Sequence, residues 1–196
     1  MASRKASLKA ICLIDRILFI RSRKNIASGR KTQILRIFNP LNHKKMQTTI
    51  DALQKIVANY SKRMAALSPE SYAFKPNPEK WSKKEILGHL VDSAQNNIRR
   101  FIVAQYEDTP SIGYAQDEWV KLSGYQEYDT ADLVQLWLLL NRHIIAILRQ
   151  MTPEAAERRC IMGGPPQTLQ WIAADYCNHL LHHLHQLLDL DPIAYP

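Results

Sequence analysis

Between Asp175 and Leu190 the chain reads DYCNHLLHHLHQLLDL, and four of its seven histidines fall there, at His179, His182, His183 and His185. At about 100° per residue, His179 and His183 are four apart on a helix and stack on one face, so two imidazoles can reach a single point. With His179 as origin, His183, Tyr176, Leu187, Leu180, Ala173 and Leu184 follow within roughly 140°, an apolar arc wide enough to face a core. Asp175, His182, Asn178, Asp189 and His185 fall on the other side and read as solvated. A helix of this kind must be packed against others. Its inward imidazole pair is half of a metal site that needs a third donor from elsewhere.

The rest of the chain offers only helices for that packing. Six glycines, 46% hydrophobic residues and long Leu/Ile periodicities predict an all-α protein with a substantial core. From Ile50 the apolar residues recur at Leu53, Val57, Tyr60, Met64 and Leu67, a core-facing helix of about five turns that Ser68-Pro69 ends. The segment from there to Lys80, with Pro76 and Pro78, reads as a loop. Ser82 and Glu85 form a capping box and start a second helix, whose inward face holds Ile86, Leu87, Leu90, Val91, Ala94, Ile98, Phe101 and Ile102. His89 stands at the edge of that arc, with Ser93, Asn97 and Arg100 further along the same side. A lone histidine there is more often a hydrogen-bonded structural residue than a ligand; the unfilled pair on the last helix is what draws attention to it.

Residues 108 to 128 form a long connection, a crossover or a lid, around a short helical candidate from Asp117 to Leu122. A third helix is expected from Thr130 to Met151, with His143 beside Arg142 as the weakest ligand candidate. Gly163-Gly164-Pro165-Pro166 then breaks the chain ahead of Thr168, a cap for the fourth helix. The architecture implied is a four-helix bundle with long connections over residues 46 to 196, preceded by a poorly defined basic extension over residues 1 to 45.

That extension holds the basic charge. Residues 1 to 45 carry twelve Lys/Arg and one acid, Asp15, which is +11; the remaining 14 basic and 17 acidic residues give −3. The part from Met46 therefore asks for no nucleic acid. Ala10 to Ile20 is apolar, yet too short and too charged, with Asp15 and Arg16, to span a bilayer. Three readings stand: an Arg-rich organellar targeting peptide, a basic amphipathic segment for an anionic surface or nucleic acid, or sequence upstream of a working start at Met46. The third is favoured, because helical periodicity begins abruptly after Met46. Cys12, Cys160 and Cys177 show no paired spacing, which points to a reducing, cytoplasmic setting. Cys177 lies about 200° around the helix from His179 and reads as a buried thiol rather than a ligand.

Three neutral imidazoles with an open position are a catalytic ligand set for zinc, and imidazole also suits nickel, iron and copper. Asp175, one turn before His179, and Asp92, three residues after His89, are candidates to orient an imidazole. Asn97, Arg100 and Tyr176 share the helical phase of a pocket. An H-x-x-x-H pair is a weak signal by itself, and no H-E-x-x-H, G-x-S-x-G, P-loop or dinucleotide glycine motif is present.

WSKKEILGHLVDSAQNNIRRF, DEWVKLSGYQ, LWLLLNRHI and DYCNHLLHHLHQL together resemble the DinB/YfiT-like superfamily of metalloenzymes, over roughly Met46 to Leu190. The resemblance implies a four-helix bundle with a divalent metal, zinc or nickel, on one histidine of the second helix and two of the fourth: His89, His179 and His183. It also implies chemistry of hydrolase or thiol S-transferase type, in which water or a low-molecular-weight thiol attacks a small-molecule electrophile. It leaves open whether two bundles pair as a homodimer. The alternative is a non-catalytic bundle serving as a binding or stress-response module, with a structural metal or none.

Overall fold

Four long helices carry the core, in a computed structural model that describes residues 40–75 and 77–195. They are α1 (Pro40–Ala65), α3 (Lys83–Val103), α5 (Thr130–Gln150) and α7 (Leu169–Leu187). Between them lie the short helices α2 (Pro69–Ala73), α4 (Gln116–Ser123) and α6 (Pro153–Ala156), and a pair of two-residue strands, β1 (Arg159–Cys160) and β2 (Gln167–Thr168). The strands pair antiparallel, Arg159 opposite Thr168 and Cys160 opposite Gln167. The apolar patch Ala10 to Ile20 and the Arg-rich leader lie outside the described residues.

The expected periodicities are the buried faces, except at Ile102, which is expected inward and is 42% exposed near the end of its helix. Ile50, Leu53, Val57 and Met64 of α1, Leu87, Leu90, Val91 and Phe101 of α3, Leu133, Trp137, Ile144 and Leu148 of α5, and Ile172, Leu180 and Leu184 of α7 form one hydrophobic core. α5 packs on α1 and α3, and α7 packs on the same two. Going round the bundle the order is therefore α1, α5, α3, α7, so α1 and α3, consecutive among the long helices, stand on a diagonal. Diagonal crossings need long connections, which is why the loops of this bundle are not tight turns. α5 is long and apolar enough by composition to cross a membrane; here its apolar stripe faces α1 and α3.

Three boundaries differ from expectation. α1 begins at Pro40, six residues before the expected boundary at Met46, and Met46 is itself a core residue; proline at the first helical position has no amide to lose. The segment expected as a loop before Lys80 contains α2, capped by the Ser68 hydroxyl, and it buries Tyr72, whose hydroxyl donates to Met64 O at 3.1 Å. α7 stops at Leu187 rather than at Leu190, because Asp189 turns left-handed at φ 51° and the Leu190 amide donates back to His185 O at 2.9 Å. The chain then runs back along α7.

His182 and His185 hold this returning tail and are not simply solvated. His182 Nδ1 bonds Ile193 O and His185 Nδ1 bonds Asp191 O, both at 2.7 Å, while His185 Nε2 meets the Tyr60 hydroxyl at 2.8 Å. A helical wheel places both histidines correctly on the outer side of α7, but it cannot foresee a segment folded over that side.

Candidate metal centre

The Ser82 capping box sets where α3 begins and hence where its side chains point. The Glu85 amide donates to Ser82 Oγ at 3.1 Å and the Ser82 amide to Glu85 Oε2 at 2.7 Å, while Lys75 pairs with the same carboxylate at 3.0 Å. Two turns on, His89 is 1% exposed and its ring lies 5.1 Å from that of Trp81. Across the interface, α7 delivers His179 and His183 from adjacent turns with ring centroids 4.6 Å apart. His89 is 5.0 Å from the first and 4.7 Å from the second, and each pair of rings is close to perpendicular. One nitrogen from each of the three lies within 4.8 Å of the others.

His89 Nε2 and His179 Nε2 are 3.0 Å apart. Two imidazole nitrogens this close need a proton or a cation between them, since two lone pairs would repel. A tetrahedral ion with bonds of about 2.0–2.1 Å spaces its nitrogen ligands by roughly 3.3 Å, so this pair would open slightly to hold one, and the third imidazole, within 4.8 Å, is near enough to join it by a small shift. The outer nitrogens support that orientation. His183 Nδ1 meets Gln186 Oε1 at 3.1 Å, which puts its proton on Nδ1 and leaves Nε2 a lone pair. His179 Nδ1 faces Ser93 Oγ at 3.4 Å. His89 Nδ1 is buried with no hydrogen-bond partner.

Electrostatics keep the imidazoles neutral. Burial, reinforced by neighbouring His183, pushes His89 down to about 3; burial and then the other histidines push His179 down to about 2, and burial lowers His183 as well. Neutral imidazole is the form that binds metal.

The other expected site residues separate into two places. Asp175, Asn97, Arg100 and Tyr176 line a cavity of about 260 Å³ together with Ser93, Tyr114, Tyr195 and His179. Asp175 accepts from the Tyr195 hydroxyl at 2.9 Å, not from an imidazole, and burial raises its pKa. Tyr176 is buried with its hydroxyl donating to Asn141 Oδ1 at 2.8 Å. Asp92 lies behind the cluster, 1% exposed, where Oδ1 accepts from the Tyr125 hydroxyl at 2.5 Å and Oδ2 has no partner. Burial lifts its pKa to about 6, against the lowering effect of that bond. His143 is exposed on α5, away from the trio, and Cys177 is buried with Sγ against Thr49 O at 3.8 Å.

Sequence reasoning did not find Trp81 and Gln186 beside the histidines, or Tyr114 and Tyr195 in the cavity. Gln186, three residues after His183, carried a readable signal, because i, i+3 neighbours meet on a helix. Tyr114 and Tyr195 carried none: one sits in an irregular connection and the other beyond the last helix.

The chain matches the model of the DinB superfamily over residues 38–187. It is 26% identical over 113 residues to YfiT of Bacillus subtilis (strain 168), named by inference as a metal-dependent hydrolase. The alignment takes in 56% of this chain and 64% of that protein, less than two thirds of its length. The solved structure of YfiT, described as a four-helix bundle of unusual topology, superposes with a TM-score of 0.68 at 20% identity, over 83% of this chain and 90% of that one. A mycothiol-dependent maleylpyruvate isomerase superposes with a TM-score of 0.60 at 13% identity, over 76% of this chain and 62% of that one. At these identities the structural likeness is one of fold.

Proposed function

The chain belongs to the DinB superfamily, and on that premise we propose that it is a metal-dependent enzyme of hydrolase or thiol S-transferase type. The observation that carries this reading is the convergence of His89, His179 and His183, neutral and with no fourth His, Cys, Asp or Glu among the described residues joining them. A structural ion is usually enclosed by four protein ligands, whereas three leave a position for a reactant.

A divalent ion on the three histidines, zinc or nickel by ligand type, would act as a Lewis acid and favour the deprotonated form of a water or low-molecular-weight thiol. The protein's own residues do the rest. Ser93 and Gln186 fix the rings of His179 and His183 through their Nδ1 atoms. The cavity admits a small electrophile on the side of His179. Asp175, its pKa raised by burial, is placed in that cavity to take up a proton. The names of the relatives agree in kind: YfiT as a metal-dependent hydrolase, the isomerase as thiol-dependent. Free Cys160 and Cys177 and the net charge of −3 from Met46 onward suit a cytoplasmic enzyme whose bundle engages neither membrane nor nucleic acid.

Elemental analysis of the full-length protein after metal repletion tests the reading. Wild type and His143→Ala should hold close to one equivalent of metal, and His89→Ala, His179→Ala and His183→Ala should each lose it. A repleted wild type without metal, or a His179→Ala variant with a full equivalent, would refute it. Hydrolysis and thiol-transfer screens then separate the two reaction types.

A further inference from the structure

Arg100 is 7% exposed, lines the cavity that His179 also lines, and has no ion-pair partner among the described residues. It follows Asn97 by three residues and His89 by eleven, so all three lie along one side of α3. Its fork is held in place. Nε donates to Ile112 O at 3.0 Å and Nη1 to Asn97 Oδ1 at 3.4 Å. Asn97 is anchored in turn through Nδ2 to Ser93 O at 2.9 Å. Nη2 makes no hydrogen bond with the described residues.

A guanidinium keeps its charge even when buried, and a buried charge without an opposite one is strongly disfavoured. The cavity's own carboxylate, Asp175, acts on the guanidinium only across the cavity: it is outside ion-pair distance and tied to the Tyr195 hydroxyl. Tyr114, whose ring centroid is 6.0 Å from the guanidinium carbon, and Tyr195 offer phenols, which are neutral near pH 7. With Nε bound to Ile112 O and one Nη1 hydrogen to Asn97 Oδ1, the second Nη1 hydrogen and Nη2 remain for a ligand in the cavity that Arg100 lines, and this pair of parallel donors matches a carboxylate in two-point contact. The volume of about 260 Å³ sits below the roughly 300–1,000 Å³ of sites for drug-sized ligands, so the ligand is small.

From this we infer that the electrophilic substrate carries a carboxylate, which Arg100 binds in the cavity while its reacting end is turned toward His179. The inference rests on the metal-enzyme reading for the reaction, but not for the binding. Arg100 is thereby a positioning residue that selects acids over neutral analogues of equal size.

Titration of the metal-free, isotope-labelled full chain with propionate and succinate, and with the corresponding amides, tests it by NMR. The acids should bind at least about tenfold more tightly than the amides, with shifts centred on Asn97, Arg100 and Tyr114. Arg100→Gln should erase that preference and Arg100→Lys should restore part of it, since the charge returns without the fork. The wild-type comparison of acid with amide stands even if a variant fails to fold. Equal binding of acid and amide, no saturable binding of either, or an undiminished preference in folded Arg100→Gln overturns the inference. Metal content of the same protein reports separately: selectivity without any metal after repletion refutes the proposed enzyme class alone, and metal without selectivity refutes the role of Arg100 alone.

Discussion

A methyl group on Gly88 would stand 2.0 Å from Cδ2 of Tyr125, inside the space its ring occupies. The ring cannot easily retreat, because Tyr125 is buried and its hydroxyl is held by Asp92. The glycine beside His89 therefore lets the short 3₁₀ turn Tyr125–Glu127 lie directly on α3. Alanine favours a helix over glycine by about 1 kcal/mol, yet here the clash should prevail. Gly88→Ala is expected to lose about 2 kcal/mol of stability in urea unfolding. A variant as stable as wild type would mean that the Tyr125 ring yields freely.

The same tyrosine gives a second prediction. With Asp92 Oδ2 already unpartnered, Tyr125→Phe would leave the whole buried carboxyl without a donor. The expected cost is about 2 kcal/mol near neutral pH. Adding Asp92→Asn should recover part of it, because the amide removes the buried charge. Strictly additive losses in that double-mutant cycle would show that the hydrogen bond does not couple the two.

Ser93→Ala should separate metal affinity from folding. Its hydroxyl faces His179 Nδ1 at 3.4 Å and also receives Asn97 Nδ2 at 3.4 Å. Loss of an imidazole-orienting partner typically weakens metal binding about 10–100-fold. Competition with a chromogenic chelator should register that weakening while the unfolding midpoint of the metal-free protein stays nearly constant. Unchanged affinity would remove Ser93 from the centre.

How much of this could be read beforehand follows from sequence separation. The capping box of Ser82 and Glu85 and the four-residue step from His179 to His183 are local patterns, and helical periodicity converts them directly into direction. The meeting of His89 with His179 spans 90 residues; periodicity could place each on an inward edge but could not join them, and the family resemblance supplied that step. The tail contacts of His182 and His185, the Tyr125 ring over Gly88, and Tyr195 on Asp175 come from irregular chain, whose path has no period to read. The same holds for Arg100. Its helical phase pointed to a pocket, whereas its lack of a direct ion-pair partner is visible only once the neighbouring carboxylates have been placed.

The metal-free protein should lose stability in acid, and the histidine trio sets the window. Histidine in the unfolded chain titrates near 6.5, while His89 is held down at about 3, His179 at about 2, and His183 below its ordinary value. Between those limits the unfolded state binds protons that the folded state refuses. This contribution is therefore complete above about pH 6.5 and is lost as pH falls toward the folded values. Asp92 acts in the opposite sense: its folded value of about 6 lies above the ordinary 3.8, so its contribution is complete in acid and is lost as pH rises through about 6. From pH 7 to pH 5 His89 and His179 each forfeit about 2 kcal/mol, His183 adds to the loss in the same direction, and Asp92 returns about 1 kcal/mol, a net loss of at least roughly 3 kcal/mol. Urea unfolding at a series of pH values in the presence of a chelator measures it. His179→Ala should flatten the slope, and Asp92→Asn should steepen it by removing the group that opposes the histidines. A wild-type profile that stays level between pH 7 and pH 5 would mean that the three imidazoles take up protons in place, which a cluster poised to bind a cation should resist.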